Sequence, residues 1–129
     1  MRNVELLSPA GDMERLRLAL KFGADAIYVG GTMFGMRTNP SNFDEEGLFN
    51  ACKLVHDSGK KIYLTCNTLP RNNEIKLLPD FIKTAASAGV DAFIIADMGV
   101  LQIAKKYAPD VDVHISTQAG IVNYGSANA

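Results

Sequence analysis

Asp112, His114 and Ser116 alternate with Val111, Val113 and Ile115, and a period-two pattern of that kind sets the polar three on one side of a strand and the aliphatic three on the other. A histidine and a serine two positions apart on one strand face are groups from which nucleophilic catalysis can be assembled, with Gln118 just past the strand. No GxSxG elbow surrounds the serine, and a strand histidine is ordinarily a satisfied structural residue. Further candidates stand where other strands run out. Arg37, in the loop from Gly30 to Phe43, offers a planar fork to a carboxylate or phosphate. Asn67 could orient a substrate through its amide, although asparagine there also suits a turn. Asp97 is a carboxylate at a strand end that could equally cap the helix after it. The catalytic candidates are therefore Asp97, His114 and Ser116, and the substrate-binding candidates Arg37, Asn67 and Gln118.

Other chemistry lacks a pattern. The cysteines are Cys52 and Cys66, with no CxxC and no neighbouring histidine at ligand spacing, so neither a disulfide framework nor a zinc site is written here, and no metal ligand is assigned. His56, one helical turn after Cys52, reads as a partly exposed helix residue. Glu5, on the same strand face as Leu7, would be an interior carboxylate in need of a partner. Walker and GxGxxG patterns are absent, and Asp12 reads as a helix cap that would repel a phosphate at that helix start.

The elements that must position these residues alternate. Aliphatic or β-branched runs at Val4 to Leu7, Ala26 to Val29, Lys61 to Thr65, Ala92 to Ile95 and Val111 to Ile115 read as strands. Helical periodicity fills the gaps: Met13, Leu16, Leu20; Leu48, Cys52, Val55; Phe81, Ile82, Ala85, Ala86; Val100, Ile103, Ala104, Tyr107. Asp12 and Asp97 stand at helix starts, and Gly23, Gly59 and Gly89 follow helices where a left-handed residue is wanted. Pro79 fits the first turn of a helix preceded by a separate turn at Asn72 to Lys76, or a kink in a longer one. Phe22–Val29 (FGADAIYV) resembles Ala88–Ile95 (AGVDAFII), and the two copies are separated by two βα units of roughly 30 residues each. The expected fold is α/β: a partial TIM-type (β/α) barrel of about five parallel strands in the order 1-2-3-4-5. A closed eight-stranded barrel takes about 250 residues, so residues 1–129 are expected to form a single domain, the N-terminal portion of a barrel cut short.

At 129 residues and 13.9 kDa, 47% hydrophobic and 21% charged, the chain has the makings of one apolar core. Thirteen basic against fourteen acidic residues give a formal charge of −1, with signs mixed along the chain, which disfavours a strong electrostatic nucleic-acid binder. No signal-peptide pattern and no run of about 20 apolar residues occurs. The localisation expected is cytoplasmic.

The segments ELLSPAGDMERLRLALKFGADAIYVGG, FGMR with the NF that follows, HDSGKKIYLTCNTL, GVDAFIIADMGVL and VHISTQAGIVN together resemble the N-terminal part of the collagenase-like peptidase family, peptidase group U32. The resemblance covers nearly the whole chain, in order and in register. It implies a TIM-barrel-like domain in bacterial proteins long labelled proteases (hydrolases), whose better characterised members act in RNA hydroxylation, including that of tRNA, or in ubiquinone hydroxylation, often with an iron–sulfur cluster. Members with a cluster take most of its cysteines from a region beyond the fifth strand, and one branch has a cysteine where this chain has Phe34. The expectation is no cofactor within this chain, an iron–sulfur cluster belonging only to a full-length form.

Three readings compete. The first is the substrate-pocket half of an enzyme of RNA hydroxylation or modification, or of a protease, inactive on its own. The second is a non-catalytic assembly module that closes its sheet through another chain, and the third a flavodoxin-like binding domain. Expected partners are a small anionic substrate or RNA, not DNA and not a membrane, together with self-association or pairing with a second barrel half. An open wall would also uncover interior residues such as Leu7, Tyr63 and Ile94.

Overall fold

A computed structural model describes residues 4–35 and 42–129. Strands and helices alternate as β1 (Leu7–Ala10), α1 (Met13–Lys21), β2 (Ala26–Gly30), α2 (Glu45–Asp57), β3 (Lys61–Cys66), α3 (Leu78–Ala88), β4 (Ala92–Ile95), α4 (Met98–Tyr107), β5 (Asp112–Ile115) and α5 (Tyr124–Asn128), with short 3-10 turns at Ile75–Leu77 and Thr117–Ala119. The five strands form one parallel sheet in the order β1-β2-β3-β4-β5. That order excludes the 2-1-3-4-5 arrangement of a flavodoxin-like domain. The sheet is the wall of a (β/α) barrel that does not close.

Alternation along the strands sorts the faces. Ile27 and Val29 of β2, Ile62, Leu64 and Cys66 of β3, and Phe93 and Ile95 of β4 pack against Leu16 of α1, Ala51 and Val55 of α2, Ile82 of α3 and Val100 of α4, in one continuous buried core. The opposite, inner face has a smaller cluster of Ala26, Tyr63 and Ala92, with Tyr28 and Ile94 packed against it. Burial on both faces explains why β2 to β4 read as nearly continuous apolar runs, whereas the outermost β5 alternates. Pro79 occupies the first turn of α3 after the 3-10 turn, where its missing N–H costs nothing.

β1 lies later than the expected Val4 to Leu7: it pairs with β2 through Leu7–Ala10, because an outer strand tolerates Pro9, whose nitrogen cannot join a ladder. A second correction concerns Tyr63, expected to be uncovered and instead buried at 4% exposure. Glu5, just outside β1, accepts a 2.6 Å hydrogen bond from the Tyr63 hydroxyl, and the His114 ring meets the Tyr63 ring edge-on at 4.6 Å. Leu7 is exposed and Ile94 half-buried. A short helix, α5, stands where no element was expected, started by a capping box between Asn123 and Ser126.

The internal repeat has a structural meaning. Gly23 and Gly89 hold φ of 91° and 94°, which a side chain would resist, and each turns the chain from a helix toward the next strand. The aspartate two residues on then clamps the neighbouring strand. Asp25 accepts from Leu6 N–H at 3.0 Å and from Lys60 Nζ at 2.9 Å; Asp91 accepts from Ile62 N–H at 2.8 Å and lies 2.9 Å from His56 Nε2. The alanine after each aspartate, Ala26 or Ala92, is buried on the inner face.

Candidate functional site

Five parallel strands bring all their C-terminal ends to one rim, and a cleft of about 570 Å³ opens there. Its floor and walls come from separate βα units: Pro9 and Ala10 of β1 with Gly11 after it, Tyr28 and Gly30 of β2, Thr65 and Asn67 at and after β3, and Thr117 and Gln118 after β5. Asn42 and Arg15 complete it. Gly11 and Asp12 alone join β1 to α1, so the first turn of α1 starts at the rim. Asp12 caps that turn, its Oδ1 accepting from Arg15 N–H at 2.8 Å. Helical side chains lean toward the helix N-terminus, and Arg15 bends back accordingly, with Nη1 3.3 Å from Asp12 Oδ2.

The described residues of the β2–α2 connection, among them Phe34 and Asn42, are bonded at the same rim. Asn42 Nδ2 donates to the Gly31 carbonyl at 3.1 Å, and Thr65 Oγ1 donates to the Val29 carbonyl at 3.2 Å. Phe34 holds φ of 62°, a conformation that costs a bulky residue about 1–3 kcal/mol. Its carbonyl accepts from Thr68 Oγ1 at 3.1 Å, and its ring packs edge-on to Phe81 at 5.1 Å. Those contacts hold Phe34 in place.

The sequence candidates divide. Asn67 and Gln118 line the cleft. Arg37 lies outside the described residues. Asp97 does not line the cleft; its Oδ1 accepts from Val100 N–H at 3.0 Å as the cap of α4. Ser116 is buried, and its Oγ accepts from Gln118 N–H at 3.3 Å at the start of the 3-10 turn. His114 faces a second cavity, of about 320 Å³, which it lines with Lys61, Tyr63, Asp91, Asp110 and Asp112, toward the N-terminal end of the sheet. Ser116 and His114 are not hydrogen-bonded to each other. Arg15, Tyr28 and Thr65 are cleft residues that the sequence reading passed over, and Asn42 belongs to the Gly30 to Phe43 loop that it singled out. A two-residue link from strand to helix is the signal that would have found Arg15, since it forces the helix start to the rim.

The described residues do not fit an iron–sulfur cluster. Cys52 and Cys66 are both buried in the core between sheet and helices. Burial, helped by the Asp91 charge, pushes the Cys52 thiol up to about 12, and burial raises Cys66 too, whereas ligation needs thiolates. Among the described residues no group of three or more His, Cys, Asp or Glu is placed to hold a metal ion. Burial, followed by the Glu5 carboxylate, raises the Tyr63 hydroxyl well above its ordinary value, so it stays a donor. Among the described residues, too, no helix is long and apolar enough to cross a membrane.

The sequence profile of Peptidase family U32 matches residues 11–129. Tested against curated proteins, the chain is 43% identical over 124 residues to tRNA hydroxylation protein P of Helicobacter pylori, covering 95% of this chain and 29% of that protein. It is 42% identical over 120 residues to an uncharacterized protease of Methanocaldococcus jannaschii, covering 93% of this chain and 29% of that one. Among solved structures, a U32 peptidase superposes with a TM-score of 0.74 at 16% identity, over 98% of this chain and 55% of that one; this likeness concerns the fold. The chain thus spans less than a third of the length of these two curated relatives.

Proposed function

The chain belongs to Peptidase family U32, and from that membership we propose that it supplies the substrate cleft of a cytoplasmic RNA-hydroxylating enzyme. The observation that carries this reading is the cleft itself, a polar recess of about 570 Å³ at the C-terminal rim, where (β/α) folds assemble their sites. The names of relatives point the same way, tRNA hydroxylation protein P among them.

The cleft's own residues bind and orient; they do not form a hydrolytic set. Amides from Asn67 and Gln118 and the Thr65 and Thr117 hydroxyls present both donors and acceptors, which suits a polar, planar group such as a nucleobase. Ser116, by contrast, already accepts from a backbone N–H, and no base is hydrogen-bonded to it, so the activated nucleophile of a peptidase is missing from this part of the fold. An iron–sulfur cluster, in a longer form, would be held by residues outside this chain.

Deletion of the gene encoding the chain, followed by mass spectrometry of total-RNA nucleosides, tests the proposal. Loss of a nucleoside one oxygen heavier than its parent is expected. An unchanged nucleoside profile, with gelatin or casein cleavage by the purified protein that disappears in Ser116→Ala, would replace hydroxylation with the peptidase reading.

A further inference from the structure

We infer that the cleft receives an oxyanion, a phosphate or carboxylate group of its ligand, through the guanidinium of Arg15. The inference deepens the proposed function and rests on its placement of the substrate cleft.

Three observations carry it. First, the charge that lines the cleft is that of Arg15; its partner Asp12 is not among the lining residues and, as the cap of α1, keeps a phosphate off the helix N–H groups while leaving the guanidinium as the point of attachment. Among the described lining residues Arg15 is charged and none is a carboxylate, while the cavity at the opposite end is lined by Asp91, Asp110 and Asp112 against Lys61 and His114. An anionic ligand is repelled by the aspartates of the second end and finds a cation in the lining of the first. Second, Arg15 is available. Its side chain is 65% exposed, and its Nη1 lies 3.3 Å from Asp12 Oδ2, longer than the roughly 2.7–2.9 Å of a strong charge-assisted bond. Asp12 Oδ1 is meanwhile taken up by the Arg15 backbone N–H. Asp12 therefore steers the guanidinium without consuming it, leaving most of its five N–H donors to face a ligand.

Third, residue 11 has no side chain where the guanidinium comes closest to the β1–α1 link. A Cβ on Gly11 would come 3.3 Å from Arg15 Nη1, so the guanidinium would have to shift by a few tenths of an ångström. Gly11, Asp12 and Arg15 thus form a unit: one vacates space, one aims, one carries charge. Thr117 stands at the same cleft with a hydroxyl that adds a neutral donor to oxyanion recognition.

The test titrates the isotope-labelled full chain at low salt with three probes, inorganic phosphate, succinate and a single-stranded RNA oligonucleotide, following backbone amides of Gly11, Thr65 and Thr117 by NMR. At least one probe should shift these amides. Arg15→Gln should weaken that probe about tenfold or more, the range for losing charged hydrogen bonds. Gly11→Ala, which moves the guanidinium but keeps the charge, should weaken it by a smaller factor. Arg17→Gln removes the same charge about 200° around the helix and should leave affinity unchanged. Competition between phosphate and RNA for the same amides assigns the oxyanion to a nucleic-acid backbone; a response to succinate alone assigns it to a small carboxylic acid. Equal binding by Arg15→Gln, with an otherwise native spectrum, overturns the inference, as does the absence of any shift with all three probes. Loss of binding in Arg15→Gln upholds it even where the RNA nucleoside assay is negative, so the two readings fail separately.

Discussion

Replacing Asp91 tests how the N-terminal end of the sheet is held. Its Oδ2 accepts from the Ile62 N–H at 2.8 Å, and Ile62 is fully buried. Asp91→Ala leaves that N–H without its acceptor, at a cost of about 1–3 kcal/mol. The His56 contact contributes less, about 0.5 kcal/mol, because its two side chains are 41% and 34% exposed and water screens them. The expected loss is therefore about 2–3 kcal/mol for Asp91→Ala, mostly from the backbone bond. At roughly 3–5 °C per kcal/mol for a chain of this size, Tm should fall by about 6–15 °C. Asp91→Asn keeps an oxygen for the Ile62 N–H and should cost about 1 kcal/mol, and His56→Ala no more than about 0.5 kcal/mol. Urea unfolding with a constant m-value measures all three. A loss below about 0.5 kcal/mol in Asp91→Ala, the size of an ordinary surface change, would refute the clamp, and so would an asparagine variant as unstable as the alanine one.

Burial holds the Cys52 thiol at about 12 against an ordinary 9.0; its contribution is complete below 9.0 and is lost as pH rises toward 12, because the unfolded thiol ionises first. Cys52 and Cys66 should accordingly resist thiol reagents in the native state and react once urea unfolds the chain; rapid native labelling of either would contradict their placement. Asp25 is held below its ordinary 3.8, first by the Lys60 hydrogen bond and then by the Leu6 N–H, so its support is present above 3.8 and fades as pH falls through the lowered value. Asp25→Asn should flatten that acid limb in pH-dependent unfolding, and an unaltered limb would count against the clamp. Val4 and Leu6 beside β1, Ile115 of β5 and Val122 beyond it are exposed, so sedimentation should show concentration-dependent association; a sharp monomer at every concentration would contradict it.

Much of the fold was legible because strand and helix periods differ and because the chain repeats itself. FGADAIYV and AGVDAFII were recognisable as copies, yet their job was not, since the partners of Asp25 and Asp91 are Leu6, just before β1, and Ile62 of β3. The β1 register was missed for a related reason: a proline reads as a strand end until one knows that its strand lies at the edge of the sheet. Tyr63 seemed uncovered because alternation along β3 says nothing about Glu5 and His114 reaching over from β1 and β5. In the cleft, Asn67 and Gln118 were found from their place after strands. Arg15 was not, because helical periodicity was read for its apolar positions alone.

The same local grammar explains why His114 and Ser116 part company. Inside a regular strand two residues at i and i+2 share a face, and that rule reaches His114. It stops at Ile115, the last residue of β5. Ser116 still donates its N–H to the Ile95 carbonyl at 2.8 Å, but its side chain turns to cap the 3-10 turn, which delivers Thr117 and Gln118 to the cleft. The histidine stays below with Tyr63 and the aspartates. A polar pair that looks catalytic in one dimension thus serves two ends of the sheet: one member supports the N-terminal layer, the other shapes the C-terminal rim.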